Sequence, residues 1–408
     1  MPLPSTSRPT TSSETFLFSP SSSYPRPFAC VVDTDARLVH AWSSPIGQAD
    51  PETNPPTWLR GWNHVELGPD GHLYAMVPLH CLLKLAPDST LVWQTHLPVH
   101  HDLDITRSGE IYVLTEEPRP VTSRGQRHVL LDNTVTVLGP DGQLRAAHSL
   151  YDTLSTEPHL LALVDRVIEE HRAAGHTADP RTLAPRLTSG AGWARGRDVS
   201  RFLRTRPGSP SDVLHANTVE VLDSHPHGLW AAGDVLVSFR NLDLLAALDL
   251  RKQKVRWWWG PGELSGQHQP SVLPGGTVLV FDNGRAHRRS RILEIDPVAN
   301  KVVWEHGPDG LFCEMAGGCE QLSDGTILVS DAQAGRGMKV TRDGRIDWSL
   351  EVSTATATTA RRSRAEFYRM AAAPASAVPL LGNSDHPARA LASSRVTCRL
   401  TETTRSTT

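Results

Sequence analysis

No G-x-x-x-x-G-K-[ST] phosphate loop occurs in the chain, which disfavours nucleotide-dependent transferases and kinases. No run of about 18 apolar residues is present, so no membrane-spanning helix is expected. Cysteine is scarce. The five thiols (Cys30, Cys81, Cys313, Cys319 and Cys398) are odd in number and scattered, which rules out a fully paired framework, although Cys313 and Cys319 could lie close in space. No C-x-x-C pair points to a cysteine-ligated metal. Excess charge is also missing: a net charge of −3 and a pI near 6.7 give no bulk attraction to nucleic acid or an anionic membrane, and neither is expected as a partner. The Ser/Thr/Pro-rich stretch Met1–Glu14 has no basic start followed by an apolar core, so no secretory leader is read and a cytoplasmic location is expected.

What the chain does contain is repetition. At 408 residues it is long for one ordinary domain, which leaves two domains or one repetitive one. Several of its 11 tryptophans end a recurring hairpin of apolar strand, polar turn and second strand. Copies close on Trp42, Trp93, Trp257, Trp304 and Trp348, and a degenerate sixth carries His148 in the tryptophan's place. A second hairpin type lies between them, seen most fully in Ser265–Gly284, where His268 stands at the mouth of a strand followed by a Pro-Gly-Gly turn. Two alternating hairpins make a four-stranded unit of about 40 to 50 residues, the period of a propeller blade. The sequence therefore predicts an all-β, six-bladed propeller over 15–352, with Thr15–Phe18 pairing with strands from the other chain end to close the ring.

Two regions depart from the repeat. Leu160, Leu163, Val164, Val167 and Ile168 share one helical face and Gly175 follows, which predicts an amphipathic helix over roughly 157–175. It opens a helical insertion at 152–211, read as lying between strands of one blade, with room for another short helix at 199–203. Residues 1–14 and the Ala/Thr/Ser/Arg-rich tail 353–408 read as mostly disordered, with room for a short helix near 365–370.

Counting back eight residues from the turn glycines Gly71, Gly109, Gly276 and Gly325 puts Asn63, His101, His268 and Gly317 in register. His215 takes the same place by the apolar pattern that follows it. In a propeller these strand entrances converge on one end of the central channel, so His101, His215 and His268 are expected to meet there. His100 should point the other way along its strand unless a bulge exchanges the two. Arg240 leaves the hairpin that His215 enters, and Asn217 lies two residues after His215 on the same face. Asn63 and Asn283 are further candidate substrate contacts. Neutral imidazole is a nucleophile, and protonated imidazole or guanidinium donates to an anion. The set therefore suits an oxyanion held by charge-assisted donors while one imidazole attacks, the electrostatic demand of sulfuryl or phosphoryl transfer. Three imidazoles also suit zinc, but the adjacent arginine weighs against a metal.

These same residues carry a resemblance. Asp212–Val219 followed by Val237-Ser238-Phe239-Arg240, Gly266-Gln267-His268 with Phe281-Asp282-Asn283-Gly284, Ala334–Trp348, and the opening Phe16–Pro20 with Val31–Asp33 and Val39–Trp42 resemble the arylsulfate sulfotransferase family over roughly 15–350. The resemblance implies a six-bladed propeller that moves a sulfuryl group from an aryl sulfate donor to a phenolic acceptor, without the nucleotide donor PAPS or another cofactor, through a sulfohistidine. It implies His268 as nucleophile, with His101, His215, Asn217 and Arg240 around the sulfuryl oxygens. The Trp257–Trp259 run could wall an aryl group, but core packing is the expected role. Two other readings stand beside this one: a non-catalytic propeller that binds a protein or small anion, and a metal-dependent hydrolase using the same histidines.

Overall fold

The computed structural model describes residues 14–20, 27–45, 62, 64–175, 212–355, 362–364, 366–374, 376–378 and 387–401. Their strands form six antiparallel sheets, each built on four sequential or ring-closing strands, arranged as a six-bladed propeller. The two hairpin types of the sequence are the inner and outer halves of each blade. The second and third strands are apolar on both faces because each blade is covered by a neighbour on either side; Val235–Phe239 and Leu244–Asp249 are buried throughout. Outer strands such as Lys301–His306 alternate in exposure. The core is accordingly divided into clusters shared between neighbouring blades. The turn glycines used for register, Gly71, Gly109, Gly276 and Gly325, all have φ between 77° and 87°, which explains why glycine recurs there.

The terminal tryptophans join the blades. The Trp42, Trp93, Trp304 and Trp348 indoles donate to Ala86 O, Pro140 O, Arg342 O and Thr34 O, at 2.9–3.1 Å, each in the outer turn of the next blade. The fourth blade differs on both sides. His148 replaces the tryptophan before it, and its own Trp257 Nε1 finds no partner among the described residues. Trp257 and Trp259 are buried in the core shared with the fifth blade, and Trp258 is exposed, all on an outer strand away from the channel. The aromatic run packs the core and does not wall the site.

Helices α1 (Leu150–Ser155) and α2 (Pro158–Ala173) follow the last strand of the third blade and precede the first strand of the fourth. The insertion therefore joins two blades and does not split one. Helix α1 is capped by Ser149 Oγ, which accepts from Asp152 N; α2 begins at Glu157-Pro158 and buries Leu160, Val164, Val167 and Ile168. The short helix expected at 199–203 lies outside the described residues, as do 1–13.

The tail is the main correction. Where a short helix was expected near 365–370, Phe367–Ala372 is a strand, and it is the innermost strand of the first blade. It pairs with Thr15–Pro20 in the register Phe16↔Ala372 and Phe18↔Met370 and so closes the ring, in the way the N-terminal strand was expected to be paired. Local Ala/Met/Arg content favours helix, but the open edge of Thr15–Pro20 and the burial of Phe367 and Met370 override it. Farther on, α3 (Pro387–Arg395) packs against the first blade and Val396–Leu400 adds a strand to Ile346–Ala355.

Replacing Phe367 by Ala should destabilise the protein by about 3–5 kcal/mol, because the ring is fully buried and packs 5.8 Å from Phe18. Urea unfolding of Phe367→Ala beside the exposed control Val298→Ala checks this; a loss below about 1 kcal/mol would show that the last strand does not carry closure.

Candidate active site

The histidines predicted from the register come from three consecutive blades. The inner strands Val99–Ile105, Ala216–Val221 and His268–Val272 each shift register at their entrance. At each bulge one non-glycine residue adopts a left-handed backbone: His101 (φ 59°), His215 (47°) and Gln269 (45°). The bulge in the third blade decides between the paired histidines. His101 turns toward His215, ring centroids 4.6 Å apart, while His100 is buried behind it. Arg240 starts the short turn Arg240–Leu242, and its N–H donates to His215 O at 3.1 Å.

Each histidine is oriented by a second residue. His268 Nδ1 lies 2.7 Å from Asn283 Oδ1 and 3.1 Å from Gly266 O. The Asn283 Nδ2 group donates to Cys313 O and Ala316 O, so its oxygen must face the ring. His268 Nδ1 therefore carries the proton and Nε2 carries the lone pair. Burial, reinforced by the Arg240 charge, pushes the imidazole down to about 3, so it stays neutral at physiological pH. His215 Nδ1 lies 2.6 Å from Asp212 Oδ2, an imidazole–carboxylate dyad. Asn133 Oδ1 accepts from Ala216 N at 2.7 Å, which turns its Nδ2 toward His100 Nε2 at 3.5 Å. His100 Nδ1 then donates to His101 Nδ1 (2.8 Å), leaving the His101 proton on Nε2 as a donor.

Arg240 is largely buried and forms no ion pair among the described residues; its side chain donates to Asn241 Oδ1. Burial and then the neighbouring Arg285 charge disfavour its charged form, so an anion beside it would be bound favourably. Asn217 Nδ2 donates to Gln267 O, tying the fourth blade to the segment before His268, while its Oδ1 has no partner among the described residues. Asn283, expected as a substrate contact, is fully buried with its amide committed to His268 and two carbonyls, and so supports the imidazole. Asn63 lies outside the described residues; its neighbour His64 is buried at the channel beside Arg369, Glu66 and Asp102. Among the described residues no group of three or more His, Cys, Asp or Glu is arranged to hold a metal ion, and none of the five cysteines is in a disulfide.

The sequence is matched by the model of the arylsulfotransferase (ASST) family over residues 84–353. The chain belongs to that family. No curated protein matches it. Among solved structures, a protein of unknown function from Bacteroides caccae is 10% identical, covers 88% of this chain and 99% of its own, and superposes with a TM-score of 0.49. Virginiamycin B lyase from Staphylococcus aureus is 11% identical, with coverages of 69% and 67% and a TM-score of 0.37. The family is one of aryl-type sulfotransferases, and the matched residues include His101, His215, Arg240 and His268.

Three residues escaped sequence reasoning. Tyr368, on the closing strand, places its ring 5.9 Å from His101, 6.1 Å from His268 and 6.2 Å from His64, and donates its hydroxyl to Asn217 O at 3.1 Å. Nothing near it in the sequence signals this, because the strand follows a stretch without repeat character. Asn133 sits inside an ordinary apolar strand. Asp212 stands three residues before His215, a spacing that could have flagged it.

Asn283→Asp would set a carboxylate against His268 Nδ1 and raise the imidazole from about 3 by stabilising its charged form. An NMR titration should find His268 neutral down to about pH 3 in the parent and protonated at higher pH in the variant. Equal midpoints would show that Asn283 does not set the state of this ring.

Proposed function

We propose that the protein transfers a sulfuryl group from an aryl sulfate to a phenol in two steps through a sulfohistidine on His268. The observation that supports this reading is the state of His268: neutral, with its proton held on Nδ1 by Asn283 and Gly266, which leaves the lone pair on Nε2. In the first step the Nε2 lone pair forms an N–S bond as the aryl O–S bond breaks. The leaving phenolate takes a proton from His215, whose Nδ1 side is braced by Asp212. In the second, His215 accepts the proton of the phenol acceptor, the phenolate attacks sulfur, and the N–S bond breaks to restore His268. Arg240 and the His101 Nε2–H donate to the three peripheral oxygens as charge builds on them. Asn217 acts through the loop it ties to the His268 segment. The protons and electron pairs balance over the two steps with no nucleotide or other cofactor.

Incubation with 4-nitrophenyl sulfate and phenol should release nitrophenol, and His268→Asn should lower the rate by about 10³-fold or more. Arg240→Met should cost about 10²–10³-fold, the scale of losing one donor to a developing charge. Without acceptor, intact-mass measurement should show one added sulfuryl group that is absent in His268→Asn. Release no greater than that of the variant would reject the reading.

A further inference from the structure

The strand Val278–Asp282 ends on the side of the fifth blade where His268 enters it, and the loop that leads to the next strand of the blade runs Gly284-Arg285-Ala286-His287-Arg288-Arg289-Ser290. The loop is tightly wound: His287 N and Arg289 N donate to Gly284 O at 3.0 and 3.3 Å, and a Cβ on Gly284 would collide with the Arg289 carbonyl. It is also pinned to the entrance of the His268 strand. Arg285 N donates to Ser265 O at 3.3 Å and Ala286 N to Ser265 Oγ at 3.0 Å. Gly266, whose carbonyl accepts from His268, leaves room for the Arg285 stem; a Cβ there would stand 2.5 Å from Arg285 Cδ.

The neighbouring arginines of this loop have partners. Arg291 pairs with Asp282 and Glu305, Arg289 donates to Gly307 O, and Arg288 lies over the Phe312 ring. Arg285 is exposed, and among the described residues its guanidinium makes no ion pair or hydrogen bond. Its charge is nonetheless felt at Arg240. Two guanidiniums that feel each other's charge, neither in ion-pair contact with a carboxylate among the described residues although Asp243 acts on both at longer range, exceed what a single sulfuryl group, with its one negative charge, requires.

We infer that Arg285 binds a second anionic group on the aromatic ring of the substrate, so that the site favours dianionic aryl sulfates, such as those bearing a ring carboxylate, and the matching anionic phenols. This rests on the aryl sulfotransferase reading of the site. The His268→Asn protein, which binds without turnover, is titrated by calorimetry with phenyl sulfate and with 4-carboxyphenyl sulfate. The carboxylate should tighten binding about tenfold, and adding Arg285→Gln should bring the ratio near one while phenyl sulfate changes by less than about twofold. Arg285→Lys, which keeps the charge, should retain part of the preference, and unchanged melting midpoints establish that both variants fold. Equal affinities with Arg285 in place, a preference that survives Arg285→Gln, equal weakening of both sulfates, or no binding of either overturns the inference. Nitrophenyl sulfate turnover by the intact chain is measured in parallel: its absence rejects the catalytic reading and leaves the affinity ratio to decide Arg285.

Discussion

The pairing of Thr15–Pro20 with Phe367–Ala372 is the constraint on which the rest of the molecule depends. A propeller left open at its innermost strand would expose a row of unpaired backbone groups beside the channel. Joining ends this far apart in the chain costs loop entropy that grows only logarithmically with length, so burial of Phe367 and Met370 can offset it. Closure also assembles the site. The strand belongs to the first blade, yet the Tyr368 hydroxyl reaches Asn217 O in the fourth, on the opposite side of the ring. Arg369 meets Glu66 of the second blade and Asp102 of the third. Ring closure and formation of the channel floor are one event.

That floor supports three strained strand entrances. A left-handed backbone at His101, His215 and Gln269 costs about 1–3 kcal/mol each, and persists only where the surroundings over-determine it. Here they do. Ala216 N is held by Asn133 Oδ1, and Val219 N by Asp102 Oδ2. Gln269 N is held by Thr218 Oγ1, and the Gln267 amide reaches Ser238 Oγ, Phe239 O and Leu244 O. These bonds cross the joints between the third, fourth and fifth blades, where the indole bonds that link other blades are missing among the described residues. The polar network replaces them and sets the imidazoles at the same time.

Much of this was legible because the repeat imposes a register. Counting from Gly109 and Gly276 was enough to place His101 and His268 at equivalent entrances, since a strand has one geometry and the turn glycine fixes its end. Arg240 followed from the same hairpin that placed His215. The limits are equally physical. Whether His100 or His101 faces inward depends on a bulge, which leaves no mark in a period-two pattern. The role of Asn283 depends on two carbonyls near residues 313–316, and no local pattern announces them. Phe367–Ala372 could not be read as a strand from its composition, because its state is decided by an edge contributed from the other end of the chain.

The electrostatics of the channel raise a question that the floor answers. Further along the inner strands a cavity of about 190 Å³ is lined by Glu66, Asp102, Asp104, Glu220, Glu320 and Arg369, a set that would repel an anionic substrate if every carboxylate were charged. Burial raises Asp104 to about 6, Glu320 to about 7 and Glu220 to about 8, so part of that charge is neutralised at physiological pH. Glu66 and Asp102 are matched by Arg369. The negative charge beneath Tyr368 is thus reduced, while Arg240 makes no ion pair with a carboxylate among the described residues. Burial, reinforced by the charge of Arg240, keeps His268 neutral. An anion bound at Arg240 would relieve the repulsion between that guanidinium and Arg285, and burial would still favour the neutral form of His268.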